Sequence, residues 1–568
     1  MILISSKNLL IMESSLRDQL TAHLREFKRL KADRQVSQNE GLTISTVPYG
    51  TAGFRANAAQ IEHLFYNIGL VSALRSLQSR KSVGVMITAS HNPIQDNGAK
   101  FIDSNGEMLD SQWEPIVEKF CNTREVDEII DQLEVLVEQH KIDTSSENKG
   151  RVLIGMDTRP SSEALVDLVK QGVQAWSPIA EFVDYGLITT PALHYLVAES
   201  NRLTSVLLSP QIYYDKLVNG LVSMFGDSKT THQSYSPEQL VIDCANGVGI
   251  ETLNYLCKNN EFSKRLPLRL INTGDGILNK MCGADYVKTK HLPPMGADEV
   301  NFRYASLDGD ADRVVYFYLE KSTPQVLELN LLDGDKIMAL YALYLKEAIK
   351  KSGLESKLTI GVVQTAYANG AATDYITRVL GLKVDCVDTG VKNLHKQALN
   401  YDVGIYFEAN GHGTIWVSQN AKEMIMEGAN GTKDLQNLLA ILNNYTGDAI
   451  SDILVVETIL RYFDWDIKQW HKLYSDRPNS LIKIEVPNRD LIKTKDAGRI
   501  CTEPTNLQPL IDSTVSKYGS DSRAFVRPSG TEDVVRIYAE SSDQGSAEEL
   551  ANDIAELIKK ELFPVTQD

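Results

Sequence analysis

Cysteine is scarce in this chain. There are six in 568 residues (Cys121, Cys244, Cys257, Cys282, Cys386 and Cys501), and no two form a CxxC pair. That spacing excludes a thiolate metal cage and a dithiol redox motif. Six thiols are also too few to staple a chain of this length, so a reduced, cytoplasmic setting is expected. Long apolar runs are missing as well: nothing approaches the roughly 20 residues of a membrane span. The N-terminal MILISSKNLLIMESS has neither the basic region nor the small-residue cleavage site of a signal peptide, and Met12 is an alternative start. Positive charge is in deficit, with 58 Lys+Arg against 75 Asp+Glu and a net charge of −17. A main partner that is a polyanion is thereby excluded, and neither nucleic acid nor membrane is expected. A local basic pocket for a small phosphate remains open.

What is present is ordinary globular composition, 43% hydrophobic and 23% charged. At roughly 150 residues per domain the length suggests about four domains. Leu16, Leu20, Leu24 and Phe27 share one helical face after Ser14 and Ser15, which read as N-caps. Strand patterns follow at 83–89, 152–156, 240–243, 359–364, 384–387 and 403–407, with helical patterns at 335–350 and 369–380. Such alternation predicts an α/β protein whose parallel sheets are covered on both faces, with a coarse βαβ recurrence. The polar stretch 225–237 reads as a flexible insertion. Residues 475–480 read as a linker before a smaller α+β domain of about 90 residues.

Four segments carry chemistry. Residues 88–98 (TASHNPIQDNG) crowd Ser, His, Asn, Pro and Gly into a loop at a strand's C-terminal end, where open α/β sheets place ligands. Ser90 there is a candidate nucleophile or phosphate carrier. Residues 305–313 (ASLDGDADR) set Asp308, Asp310 and Asp312 at spacings of two. Three close carboxylates repel unless a divalent cation joins them, and hard oxygen ligands favour Mg²⁺ over zinc. An EF-hand begun at Asp308 fails, because Arg313 and Leu319 stand where Gly and Glu are required. A haloacid-dehalogenase phosphatase with Asp308 as nucleophile partly fits, but leaves the SHNP segment unexplained. Residues 406–413 (YFEANGHG) offer Glu408, Asn410 and His412 at alternating positions, and Gly411 permits close backbone approach. Residues 527–533 (RPSGTED), with Arg536 beyond, combine arginine, two hydroxyls and a glycine amide suited to a phosphate monoester.

In this order the four segments resemble the α-D-phosphohexomutase superfamily, and within it the branch that acts on N-acetylglucosamine phosphates. The branch is suggested by YGTAGFR (49–55), TTPALHY (189–195), LNKMCGADYVK (278–288), QTAYANG (364–370), FEANGHG (407–413) and RPSGTEDVVRIYAE (527–540), and the likeness spans residues 48–551. The resemblance implies three α/β domains with mixed or parallel sheets and a smaller C-terminal α+β domain around a central cleft. Its divisions would be 1–200 (with an N-terminal helical extension, 1–40), 201–325, 326–472 and 473–568, each giving one loop.

By the same resemblance, Ser90 carries a phosphoryl group and joins Asp308, Asp310 and Asp312 in holding one Mg²⁺. Glu408, Asn410, Gly411 and Lys392 would bind the sugar, and Arg527, Ser529, Gly530, Thr531 and Arg536 its phosphate. His91 would orient the Ser90 loop. Arg55, Lys100 and His412 are candidates for the proton transfer, His412 by its ordinary titration range. The implied reaction interconverts N-acetylglucosamine 6-phosphate and 1-phosphate through a 1,6-bisphosphate, feeding UDP-N-acetylglucosamine biosynthesis, in a monomer or weak homodimer. Asn410 bears on the alternative, a glucose or mannose phosphomutase, because those branches carry Ser there. A phosphatase and a silent sugar-phosphate sensor are the rivals from other classes.

Overall fold

The structure, a computed structural model, describes residues 12–35, 46–203, 206–226, 233–323, 326–428, 431–529 and 533–562. Helix Ser14–Gln35 buries Leu16, Leu20 and Leu24 against the first sheet's helices. It begins at Ser14, so the two serines occupy its first turn; Leu16 and Arg17 N–H both donate to the Glu13 carbonyl.

The first sheet has six strands, ordered Tyr49–Gly50, Gly53–Asn57, Asp96–Ile102, Ser82–Ile87, Gly150–Met156 and Ala180–Leu187. The last three are parallel, whereas Asp96–Ile102 returns antiparallel beside Ser82–Ile87. The sheet is therefore mixed, as the resemblance allowed, where strand–helix alternation by itself pointed to parallel pairing. The reason is length: the loop at 88–95 is too short for a crossover helix and allows only a hairpin return. The same device recurs. In the second sheet Arg303–Leu307 turns at 308–313 into antiparallel Val314–Thr323, and in the third Val403–Phe407 turns into Gly413–Val417. In the small C-terminal sheet Arg523–Pro528 pairs antiparallel with Val534–Glu540. The first three chemistry-bearing segments are hairpin turns, and the fourth joins two antiparallel strands.

The division expected at 325/326 falls in a further hairpin, since Val326–Leu332 pairs with Val314–Thr323, and the second sheet extends to Leu332. That at 200/201 lies within helix Thr190–Arg202. The helical pattern 369–380 is one α-turn, Gly370–Asp374, followed by π-helical Tyr375–Val379. Of the expected insertion, 227–232 lies outside the described residues; its flanks Phe225 and Tyr235 are buried, and the Tyr235 hydroxyl donates to Glu457 at 3.0 Å. One continuous core unites the second and third sheets, while residues 484–558 enclose their own.

Candidate active site

Ser90 stands in the left-handed region at φ 50°, fully buried, a conformation costing an L-residue of order 1–2 kcal/mol. Its Oγ donates to Asp310 Oδ2 at 3.2 Å and accepts from Arg55 Nη2 at 3.2 Å. Asp308, Asp310 and Asp312 are all buried, with one oxygen of each within 4.8 Å of the others. The backbone shapes this turn, because the N–H groups of Asp312 and Arg313 both donate to Asp308 Oδ1. Asp310 Oδ2 also accepts from Lys100 Nζ (2.6 Å) and Thr190 Oγ1 (2.6 Å), and Lys100 reaches Asp312 Oδ2 at 2.5 Å.

Three oxygens remain on the other side. Asp308 Oδ2 and Asp310 Oδ1 accept no hydrogen bond among the described residues, and Asp312 Oδ1 is approached by His412 Nδ1 at 3.3 Å and Arg313 Nε at 3.8 Å. Burial, then Asp312 and Asp310, push the Asp308 carboxyl well above the ordinary range. Burial acts the same way on Asp312, but His412 and Lys100 outweigh it and hold that group well below the range. Orphaned oxygens on three clustered, buried carboxylates fit a hard divalent cation.

The third hairpin meets the second directly. Arg313 and His412 form an isolated bridge, and Val314 N–H donates to Gly411 O at 3.2 Å. A Cβ on Gly411 (φ +87°) would lie 2.0 Å from Val314 O, so this approach requires glycine. Glu408 Oε1 accepts from Gly390 N–H at 3.0 Å, Oε2 accepts from Asn410 Nδ2 at 3.3 Å, and Asn410 Oδ1 accepts from His412 N–H at 3.0 Å. The fourth hairpin joins through Arg527, whose guanidinium donates to Thr389 Oγ1 beside Gly390. Arg536 pairs across the sheet with both Arg527 and Lys483, giving three cations in one row. Ser529 is buried, whereas Gly530 and Thr531 lie outside the described residues. Lys392 forms an ion pair with Glu114 of the first sheet's layer.

Among the three proton-transfer candidates, Arg55 touches Ser90 Oγ, whereas His412 is 5% exposed and faces Asp312. Burial, then Arg313, lower the proton affinity of Arg55. Burial opposes the charge on Lys100, but Asp310 and Asp312 outweigh it and keep the ammonium protonated. His91 is pushed down to about 2 by burial and by Arg313 and Arg55, and its Nδ1 has no hydrogen bond among the described residues. The hydrogen bonds that orient the Ser90 loop involve residues to which sequence reasoning gave no role: Thr88, Asp157, Arg159 and Asn279, along with Thr190 at the metal loop. One signal was available: Asp157, Arg159 and Ser161 alternate directly after the strand pattern 152–156, as the aspartates do after theirs.

A serine, a carboxylate triad, a glutamate-amide pair and a row of cations, joined through direct contacts between the loops, define a machine for moving phosphoryl groups on a sugar phosphate. Comparison with known proteins agrees. Family models match residues 56–128 (phosphoglucomutase/phosphomannomutase, alpha/beta/alpha domain I) and 204–315 (phosphoacetylglucosamine mutase AMG1, domain II). Others match 333–465 (phosphoacetylglucosamine mutase AMG1, domain III) and 481–557 (phosphoglucomutase/phosphomannomutase, C-terminal domain). The human phosphoacetylglucosamine mutase is 42% identical over 89% of this chain and 93% of its own, and that of Schizosaccharomyces pombe 41% over 90% and 98%. A solved N-acetylglucosamine-phosphate mutase in its substrate complex superposes with a TM-score of 0.86 at 37% identity, covering 96% of this chain and all of that one. The Aspergillus fumigatus N-acetylphosphoglucosamine mutase, in complex with GlcNAc-6P and magnesium, gives 0.84 at 38%, covering 96% and 99%. The chain belongs to the phosphoacetylglucosamine mutase family of the α-D-phosphohexomutase superfamily.

Proposed function

We propose that this protein interconverts N-acetylglucosamine 6-phosphate and N-acetylglucosamine 1-phosphate, with Ser90 as the phosphoryl carrier. The observation that carries the reading is a cluster of buried carboxylates that keeps orphaned oxygens and, through Asp310 Oδ2, accepts from the serine hydroxyl at 3.2 Å. In the first transfer the free sugar hydroxyl attacks the phosphorus on Ser90. The phosphorus–Oγ bond breaks as the sugar–phosphate bond forms and the hydroxyl proton passes to the departing serine oxygen, giving the 1,6-bisphosphate and a free serine. The bisphosphate then turns over, and its other phosphoryl returns to Ser90. Arg55, at the serine oxygen, and Lys100, which stays charged, neutralise the oxygens of the moving group. Asp308, Asp310 and Asp312, with the Ser90 group, would hold a Mg²⁺ that supplies the remaining charge compensation.

Glu408 and Asn410, tied to each other and to Gly390 and His412, are the proposed sugar-holding pair. Lys392 is the proposed lysine at their edge. Arg527, Ser529 and Arg536, with Gly530 and Thr531, are proposed to grip whichever phosphate is idle. Their support is the cation row across the fourth hairpin. The reading includes the four-loop division of labour among the domains, a place feeding UDP-N-acetylglucosamine synthesis, and action in the cytoplasm. Among the described residues no helix is long and apolar enough to cross a membrane.

Ser90→Ala is expected to abolish isomerisation, and intact-mass measurement is expected to show a one-phosphoryl increment on the parent protein that the variant lacks. Full activity in Ser90→Ala would overturn the reading. Release of free phosphate without isomer formation would replace it with a phosphatase.

A further inference from the structure

The nucleophile loop is gripped by a side-chain assembly with no part in the chemistry described above. Arg159 is buried, and all five of its guanidinium N–H groups are used: Nε donates to Asp157 Oδ2 (3.0 Å), Nη1 to the carbonyls of Pro93 (2.5 Å) and Asp96 (2.8 Å), and Nη2 to those of Ser90 (3.0 Å) and Asn92 (2.9 Å). Asp157 Oδ2 also accepts from Thr88 Oγ1 (2.7 Å), which in turn accepts from Ser90 N–H (2.9 Å). The backbone N–H and C=O of Ser90 thus lie on one closed ring of hydrogen bonds through a single buried ion pair.

From the second sheet's layer, Asn279 Nδ2 donates to the same two carbonyls, Ser90 O (2.8 Å) and Asn92 O (3.1 Å). The fit between the layers is close, because a Cβ on Gly309 of the metal loop would sit 2.6 Å from Ser90 O. A lysine at position 159 could not reproduce the planar five-donor fork.

We infer that Arg159 and Asn279 are positioning residues that hold Ser90 in its left-handed conformation against the metal loop, so that the return transfer from the bisphosphate outruns its escape. The inference rests on the mutase reading. Both transfers use Ser90 Oγ. In the second, the phosphorus–sugar-oxygen bond breaks, the phosphorus–Oγ bond forms, and the serine proton leaves for the departing sugar oxygen. If Ser90 is misplaced, the bisphosphate dissociates carrying the phosphoryl, and the protein is left with an unmodified serine.

Two variants test this. Asn279→Gly removes the cross-layer donor and suits the backbone there (φ 57°). Arg159→Lys keeps the charge without the fork. The full-length phosphorylated proteins are assayed with N-acetylglucosamine 1-phosphate and Mg²⁺, following isomer, free bisphosphate and phosphoserine content by mass. Folded fraction is measured in parallel. Wild type isomerising with bound phosphate establishes the mutase reading independently. For the variants, kcat is expected to fall roughly 10- to 100-fold, with Arg159→Lys the lower and KM little changed. Bisphosphate released per turnover should rise severalfold, phosphoserine should drain, and added sugar bisphosphate should restore much of the rate. Wild-type retention of the bisphosphate in both variants would overturn the inference. So would a loss of rate that only tracks loss of folded protein.

Discussion

Lys100 is the residue on which the electrostatics of the cleft turn. It is buried at 7% side-chain exposure and spans Asp310 Oδ2 and Asp312 Oδ2, while Asp308 Oδ2, Asp310 Oδ1 and Asp312 Oδ1 accept no hydrogen bond among the described residues. Its positive charge therefore stabilises the carboxylates while opposing any cation placed among them. A unit charge a few ångströms away is worth from about one to several kcal/mol at an effective ε near 20. Lys100→Met is accordingly expected to tighten Mn²⁺ or Mg²⁺ binding by roughly tenfold or more, read by titration calorimetry, while lowering kcat. Weaker metal binding in that variant would contradict the placement. Of the residues in this cluster, Ser90 and the three aspartates were legible in the sequence because each stands inside a compact segment, TASHNP or DGDADR. Thr190 and Asn279 were not assigned roles, because each acts on a loop more than a hundred residues away.

At the scale of elements, the hairpin is the repeating device. Each one returns the chain beside itself and leaves its turn at the end of its sheet, where the turns meet, so strand register sets where Ser90, Asp308 and Glu408 project. The third sheet depends on one further constraint. Gly361, on strand Ile360–Thr365, lies against the Tyr401 ring, where an added Cβ would come within 2.2 Å. Gly361→Ala is expected to cost roughly 1–3 kcal/mol through overpacking, measured by denaturant unfolding, and to lower activity by shifting the neighbouring strand Val403–Phe407 that leads into Glu408. An unchanged midpoint would show that the ring moves aside freely. The strands themselves were visible in advance as short β-branched runs. Their direction was not, since periodicity fixes which face a residue takes but not whether the next strand returns or crosses over.

For the whole molecule, burial of charge ties stability to pH. His194, on helix Thr190–Arg202, is 1% exposed, and its Nδ1 stands 2.7 Å from Gly106 O. Burial pushes its pKa from 6.5 down to about 4, against the Gly106 hydrogen bond, with the nearby Lys100 charge adding to the depression. The unfolded chain takes up this proton near pH 6.5 and the folded protein does not, so the contribution is present above 6.5 and lost as pH falls toward 4. His194→Gln, whose amide can still donate to Gly106, should therefore flatten the stability-versus-pH slope in that window by up to about one proton, or ~1.4 kcal/mol per pH unit. An identical slope in denaturant titrations would refute the assignment.

Long-range burial of the same kind joins the second sheet to the third layer. Arg303 Nε lies 2.9 Å from Glu457 Oε1, with Tyr235 completing the group from a segment that reads as a loose insertion in sequence. By itself the sequence determined the class, the four chemical segments and the identity of the carriers, because those depend on residue type and short spacing. Tertiary structure alone decided which strands return antiparallel, that the second and third sheets share one core with a face of the first, and that Arg159 and Asn279 hold the serine. Those outcomes rest on hydrogen bonds and packing between residues far apart in the chain, for which a local pattern carries no signal.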